Sequence, residues 1–170
     1  MSVVRGTALS GYSGLVAELG GDPEQLLAAA GVPVGAAGTH DVFVPYRAVI
    51  LAVEQAAGAT ACPDFGRRLA LRQDIGNFGP LGIAARTAGG AFSIVERFMS
   101  AYSPAISARI TPGAKSSESF YAFEVLVDRA PTHPQTTELS LGVSLGIMRM
   151  MFDEPYAPLS VHFPHEALTP

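Results

Sequence analysis

His162 and His165, three residues apart near the end of the chain, invite a chemical reading first. A neutral imidazole can ligate zinc or move a proton near neutral pH. Residues three apart in a strand point to opposite faces, so joint ligation needs a turn, which Pro164 would supply. Zinc also requires further ligands, for which Cys62 and His133 stand as candidates. The plainer reading makes His162 a strand-end residue and His165 a loop residue, with no metal and no cofactor. Cys62 precedes Pro63 at an expected helix start, where a thiolate is favoured; its plainer role is a small, partly buried side chain. Arg149 lies on an apolar stretch, where a guanidinium cannot be buried unpaired without a large cost. It must reach water, pair with Glu138 or Glu124, or meet an acidic ligand. Tyr102 and Tyr121 could bring hydroxyls to a pocket, or serve as core residues with a wet tip.

Catalytic motifs are missing. Gly11-Tyr12-Ser13-Gly14 falls short of the G-x-S-x-G nucleophile elbow and lies in an expected helix rather than a strand-to-helix turn. No glycine-rich phosphate loop follows a strand. No catalytic residue is therefore expected, and the chain is not read as an enzyme. Arg67, Arg68 and Arg72 form a small basic cluster, read as the solvated side of a helix rather than a phosphate contact.

The composition fits a single domain over residues 1–170, with 48% hydrophobic and 15% charged residues. The net charge of −4 disfavours a domain that grips nucleic acid by itself, because phosphate neutralisation dominates such affinity. One cysteine allows no internal disulfide and suits a reducing cytoplasm. The N-terminus has no signal-peptide pattern, and no apolar run reaches membrane-spanning length. A cytoplasmic protein without a membrane partner is expected.

The elements that must position these residues are α+β: N-terminal helices followed by a small β-sheet packed on a buried helix. Ser10 is expected to cap a helix carrying Tyr12, Leu15, Val16 and Leu19, one face of a 3.6-residue period. Asp22, Pro23 and Gln25 form a helix-start signature, and Gly31 a stop. Pro45 opens a third helix with Tyr46, Val49, Ile50 and Val53 inward. Pro63 opens a fourth with Phe65 and Leu69 inward. Pro80 opens a fifth, and a sixth covers 91–102. Residues 105–111 and 119–128 read as strands with apolar groups on both faces, so both faces are expected to be covered. The stretch 135–152 is the most apolar helix, buried on several sides, and 159–163 reads as a last strand.

The order of these segments resembles the N-terminal effector-binding domain, often labelled arabinose-binding, of AraC/XylS-type transcription regulators. The carrying pieces are Leu26-Leu27-Ala28-Ala29-Ala30-Gly31-Val32, Phe43-Val44-Pro45-Tyr46 (a short strand leading into a helix), Cys62-Pro63-Asp64-Phe65-Gly66-Arg67-Arg68-Leu69-Ala70, Phe78-Gly79-Pro80-Leu81-Gly82-Ile83-Ala84, and Pro158-Leu159-Ser160-Val161-His162-Phe163-Pro164-His165. The resemblance runs from about Leu9 to His165. It departs at Thr87-Ala88-Gly89-Gly90, where the family often has a Thr-Leu pair. The chain also stops where the family's domain usually continues, without a helix-turn-helix pair.

The resemblance implies a small-molecule effector, a homodimer, and contact with DNA only through a C-terminal domain that is missing here. No family motif identifies the pocket. On side-chain chemistry alone, Tyr102, Tyr121, Arg149 and His162 are the candidate ligand-binding residues, and an apolar or acidic effector is expected. The rivals are a dimerisation module without a ligand and an enzyme using His162 or His165 as a base.

Overall fold

The computed structural model describes residues 2–75, 90, 93, 96, 103–115, 117–128, 132–151, 156–166 and 168. Among the described residues, two short antiparallel ribbons, five α-helices and two short 3-10 helices stand out, an α+β architecture as expected. Strand β1 (Val3–Arg5) pairs with β2 (Phe43–Pro45), with Val4 opposite Val44. Both valines are buried, so one face of the ribbon lies on the core. Between these strands come α1 (Tyr12–Glu18) and α2 (Pro23–Ala30); α3 (Tyr46–Ala59) and α4 (Phe65–Ala70) follow. Strands β3 (Ile106–Pro112) and β4 (Ser119–Val125) form a hairpin, and α5 (Pro134–Met151) is the long final helix.

Local chemistry explains several boundaries. Asp22 Oδ1 accepts from the backbone N–H groups of Glu24 and Gln25 at 3.0 and 3.1 Å, which satisfies two otherwise orphaned donors at the start of α2. Gly31 ends that helix in the left-handed region at φ 78°. Helix α1 begins differently from the sequence expectation. Its cap is Gly11 at φ 75°, with no side-chain hydrogen bond, while the Ser10 N–H closes the preceding 3-10 turn on the Thr7 carbonyl. Arg72 is the reason: its Cβ would lie 2.7 Å from any Cβ at position 11, so the turn needs glycine and the cap shifts by one residue.

The core sits among α1 to α4. All four expected apolar residues of α3, Tyr46, Val49, Ile50 and Val53, are buried, as are Phe65 and Leu69 of α4. Tyr12 meets Phe65 edge to face at 5.9 Å and donates its hydroxyl to the Ala52 carbonyl at 3.1 Å. Burial pushes the Tyr12 phenol up to about 12. Each fully buried large side chain contributes roughly 1.5–3 kcal/mol, so this interior is the main source of stability.

Helix α5 packs closely along α4 because small residues line the contact. A Cβ at Gly142 would lie 2.6 Å from the Ala70 Cβ, and one at Gly146 would lie 3.3 Å from Ile75 Cδ1. Burial along α5 is greatest at its first turns. Its polar first turns, Gln135 to Glu138, are buried together with Leu139, whereas residues 140–147 are only half-buried. The helix is thus inserted by its polar end.

Two further expectations are corrected. The hairpin has one half-buried face, with Tyr121, Phe123 and Val125, and one exposed face, with Phe120 and Glu124; pleating separates the two sets, and among the described residues nothing covers the second. Residues 159–163 are not a strand. Among the described residues no strand bonds to them, and Leu159 (89% exposed), Val161 (51%) and Phe163 (40%) all lie toward solvent. Alternating apolar residues make a strand only when a sheet edge accepts them. The expected helices opened by Pro80 and spanning 91–102, with the Phe78-to-Ala84 piece, lie outside the described residues except Ser93 and Glu96, which are helical.

Candidate functional site at helix α5

The first turns of α5 are held by side chains from α3 and α4. Glu54 of α3 receives the Thr136 N–H at 2.9 Å, the Thr136 hydroxyl at 3.1 Å and the Gln135 N–H at 3.4 Å. The carboxylate therefore acts as a helix cap supplied from another helix, where the positive end of the dipole favours an anion. Burial nevertheless raises the Glu54 pKa above its ordinary value; the bonds from Thr136 and Gln135 and the nearby His133 oppose that rise without cancelling it. The Gln135 side chain completes the joint. Its Oε1 accepts the Gly66 N–H at 2.8 Å, and its Nε2 donates to the Pro63 carbonyl at 2.7 Å.

One turn further on, Glu138 is 7% exposed and lies 3.1 Å from Arg67 Nε. The pair is close but poorly aligned, so Oε2 makes an ion pair without a well-formed hydrogen bond. Arg67 therefore takes the partner that the sequence reading offered to Arg149. The other members of the basic cluster also pair: Arg68 with Asp64 at 3.0 Å, and Arg72 with Glu18 at 2.6 Å.

Toward the middle of α5, the Tyr121 hydroxyl from β4 bonds to Ser144 Oγ at 2.9 Å. Tyr121 is half-buried, and burial raises its pKa while the bond to Ser144 opposes the shift. On the same face of the hairpin as Tyr121 lie Phe123 and Val125, with Ile110 opposite Tyr121 in register, and Ile147 lies one turn from Ser144 on α5; all are half-buried. A polar pair set among half-buried apolar groups suits recognition of a small, mostly apolar molecule.

The three described candidates, Tyr121, Arg149 and His162, stand in different places. Tyr102 lies outside the described residues. Arg149 is exposed near the C-terminal end of α5, where its Nε donates to the Tyr156 carbonyl at 3.2 Å. It follows Ser144 by five residues, about 140° around the helix, so it points away from the Tyr121 side. His162 is exposed and lies 3.3 Å from Ser160 Oγ; His165 bonds the Glu166 carbonyl at 2.8 Å. Among the described residues no group of three His, Cys, Asp or Glu side chains could hold a metal ion. Cys62 is buried, and burial pushes its thiol up, away from the thiolate considered from sequence. No described helix is long and apolar enough to cross a membrane.

Glu54, Gln135, Thr136, Ser140 and Ser144 were not singled out from sequence. The available signal was the four-residue spacing of Thr136, Ser140 and Ser144, which puts three hydroxyls on one side of α5. Glu54 gave none, because its partner is 82 residues away.

Comparison with known proteins agrees with the fold. A family model described as the arabinose-binding domain of AraC transcription regulator, N-term, matches residues 20–170. The chain is also similar to the HTH-type transcriptional regulator VirS of Mycobacterium tuberculosis, in strains CDC 1551 / Oshkosh and ATCC 25618 / H37Rv. Identity is 31% over 153 residues, covering 88% of this chain and 45% of each relative. The chain thus spans less than half the length of the curated relatives it matches. With most of its length matched by that model, the chain belongs to the family of N-terminal arabinose-binding domains of AraC transcription regulators.

Proposed function

We propose that this domain senses a small, largely apolar effector at the surface shared by the β3–β4 hairpin and α5. The observation that carries the reading is the Tyr121–Ser144 hydroxyl pair, set among half-buried apolar side chains of both elements. The family supports a regulatory, effector-binding role. The family label is no reason to expect a sugar here, and the apolar surroundings favour a hydrocarbon-rich molecule with one polar group. Binding would act by population shift, with the effector favouring one arrangement of the hairpin against α5.

The relatives are named HTH-type regulators, and this chain corresponds to 45% of their length. We infer that it controls a DNA-binding domain in a full-length regulator and does not bind DNA specifically by itself. A homodimer is the proposed assembly, and the cytoplasm the proposed location. Dimerisation without any ligand is the second reading, favoured by exposed Phe120 (59%) and Leu126 (47%).

Thermal denaturation against a panel of fatty acids, aromatic acids, amino acids and sugars tests the proposal. A ligand of the native state raises the melting temperature. The expected result is a rise with at least one apolar or amphiphilic compound, lost or strongly reduced in Tyr121→Phe. Sugars as the sole stabilisers would overturn the apolar reading. No shift across the panel, with a dimer in solution, would favour the second reading.

A further inference from the structure

Residues 157–164, beyond α5, are exposed without a break, and they include three large apolar side chains, Leu159, Val161 and Phe163. Their backbone is as open as their side chains: among the described residues no backbone hydrogen bond reaches 157–165. Leu159 sits at a bend, and 160–163 carry none. Ser160 Oγ and His162 Nε2 meet at 3.3 Å, as side chains two residues apart on one side of an extended segment can. This arm therefore offers an unpaired strand edge and an apolar face. Such an edge is a template for another strand.

The residue pattern indicates which strand. Pro158-Leu159-Ser160-Val161-His162-Phe163-Pro164 is a palindrome of polarity centred on Val161. Laid antiparallel against the same segment of a second copy, Leu159 faces Phe163, Ser160 faces His162 and Val161 faces its own counterpart. Apolar side chains then meet on one face, and a hydroxyl meets an imidazole on the other. A twofold interface requires this self-complementarity, because each contact is made twice by the same two residues. With Val161 in a hydrogen-bonded pair, Pro158 and Pro164 fall where an N–H would point away from the partner, so the missing donors cost no ladder bond. The same prolines blunt the outer edges of the ribbon against further strands. Charge does not oppose the pairing, since 155–165 contain no Asp, Glu, Lys or Arg.

We propose that residues 159–163 form an antiparallel two-stranded ribbon with the same residues of a second copy. The proposal rests on the homodimer reading above and gives that dimer a surface and a register. Pairing straightens the bend at Leu159 and supplies the edge that the alternation of 159–163 lacks within one chain. A ribbon this short buries less than the roughly 1,200–2,000 Å² of a stable interface. The dimer it holds is therefore weak and dissociates on dilution.

Sedimentation equilibrium measures the assembly, and cysteine cross-linking measures the contact. The native Cys62 is buried and stays out of the reaction. Val161→Lys sets like charges face to face and is expected to raise the dissociation constant at least about tenfold. Val161 is 51% exposed, so the melting temperature of the dilute monomer should not change. Val161→Cys is expected to form a disulfide dimer at least about tenfold faster than Leu71→Cys, an 87% exposed position just past α4. Leu159→Cys mixed with Phe163→Cys should cross-link faster than either variant alone.

A dimer that withstands Val161→Lys, or a Val161→Cys rate no higher than that of Leu71→Cys, overturns the ribbon and leaves the homodimer to another surface. Loss of the dimer in Val161→Lys without self-cross-linking at 161 also overturns it, and places the arm against a different part of the second copy. A chain still monomeric at about 1 mM overturns the ribbon and the homodimer together. Failure of the ribbon and failure of the homodimer are thus distinguishable.

Discussion

Gln135 of α5 and Gly66 of α4 are matched in both backbone and side chain. The Gly66 N–H donates to Gln135 Oε1 at 2.8 Å, and a Cβ on residue 66 would lie 2.8 Å from the Gln135 carbonyl carbon. That distance is too short for a real contact, and the obstacle is backbone. Gly66→Ala is therefore expected to destabilise the domain by about 2–3 kcal/mol, the upper part of the range for overpacked interiors. Urea denaturation measures this; a loss below about 0.5 kcal/mol would mean that α5 shifts freely along α4.

Glu54 predicts a pH dependence of definite sign. Its folded pKa is raised, with burial as the largest cause, so the folded state binds the proton more tightly than the unfolded chain. The stabilising contribution is fully present below the ordinary glutamate value and is lost as pH rises through the raised one. Glu54→Gln has no such group. Its stability relative to the parent should therefore rise from acid toward neutral pH, read as the difference in melting temperature across that window. A flat or opposite trend would refute the assignment.

Asp22 tests a strictly local effect. Asp22→Ala removes the acceptor for two N–H groups at the start of α2 and is expected to cost about 1 kcal/mol. Asp22→Asn or Asp22→Ser should recover most of it in the same denaturation assay, because each restores an acceptor oxygen. Equal losses in all three variants would point to the charge rather than the cap.

Cys62 should be unreactive while the domain is folded. Burial is the first cause that pushes its thiol up, and the Asp64 carboxylate that accepts from it, 3.3 Å away, adds to the rise. Its reaction with an aromatic disulfide reagent near pH 8 is expected to run at least about tenfold slower than in the unfolded chain. Equal rates would show that the thiol is open to solvent.

The early helices were legible because their signals are local. Asp22, Pro23 and Gly31 delimit α2 by backbone chemistry within one segment, and the period of Tyr46, Val49, Ile50 and Val53 marks the buried face of α3. The hairpin was legible for the same reason, through alternation on either side of a turn. The reading failed where a partner decides the outcome. Residues 159–163 have the alternation of a strand, yet among the described residues no edge bonds to them.

Sequence alone thus determined the α+β class, the helix stops, the absence of a recognisable catalytic motif and, through the order of five segments, the family to which the chain belongs. Tertiary structure alone decided which residues stand together at α5. Apolar periodicity reports that a helix is buried, not which end enters first. The polar end of α5 could enter because Glu54, 82 residues away, and the Gly66 N–H satisfy its buried groups. Hydrogen bonds across that separation leave no periodic trace in the chain. The Tyr121–Ser144 pair and the hold of Glu54 on the first turn of α5 therefore became visible only once β4, α5 and α3 were assembled.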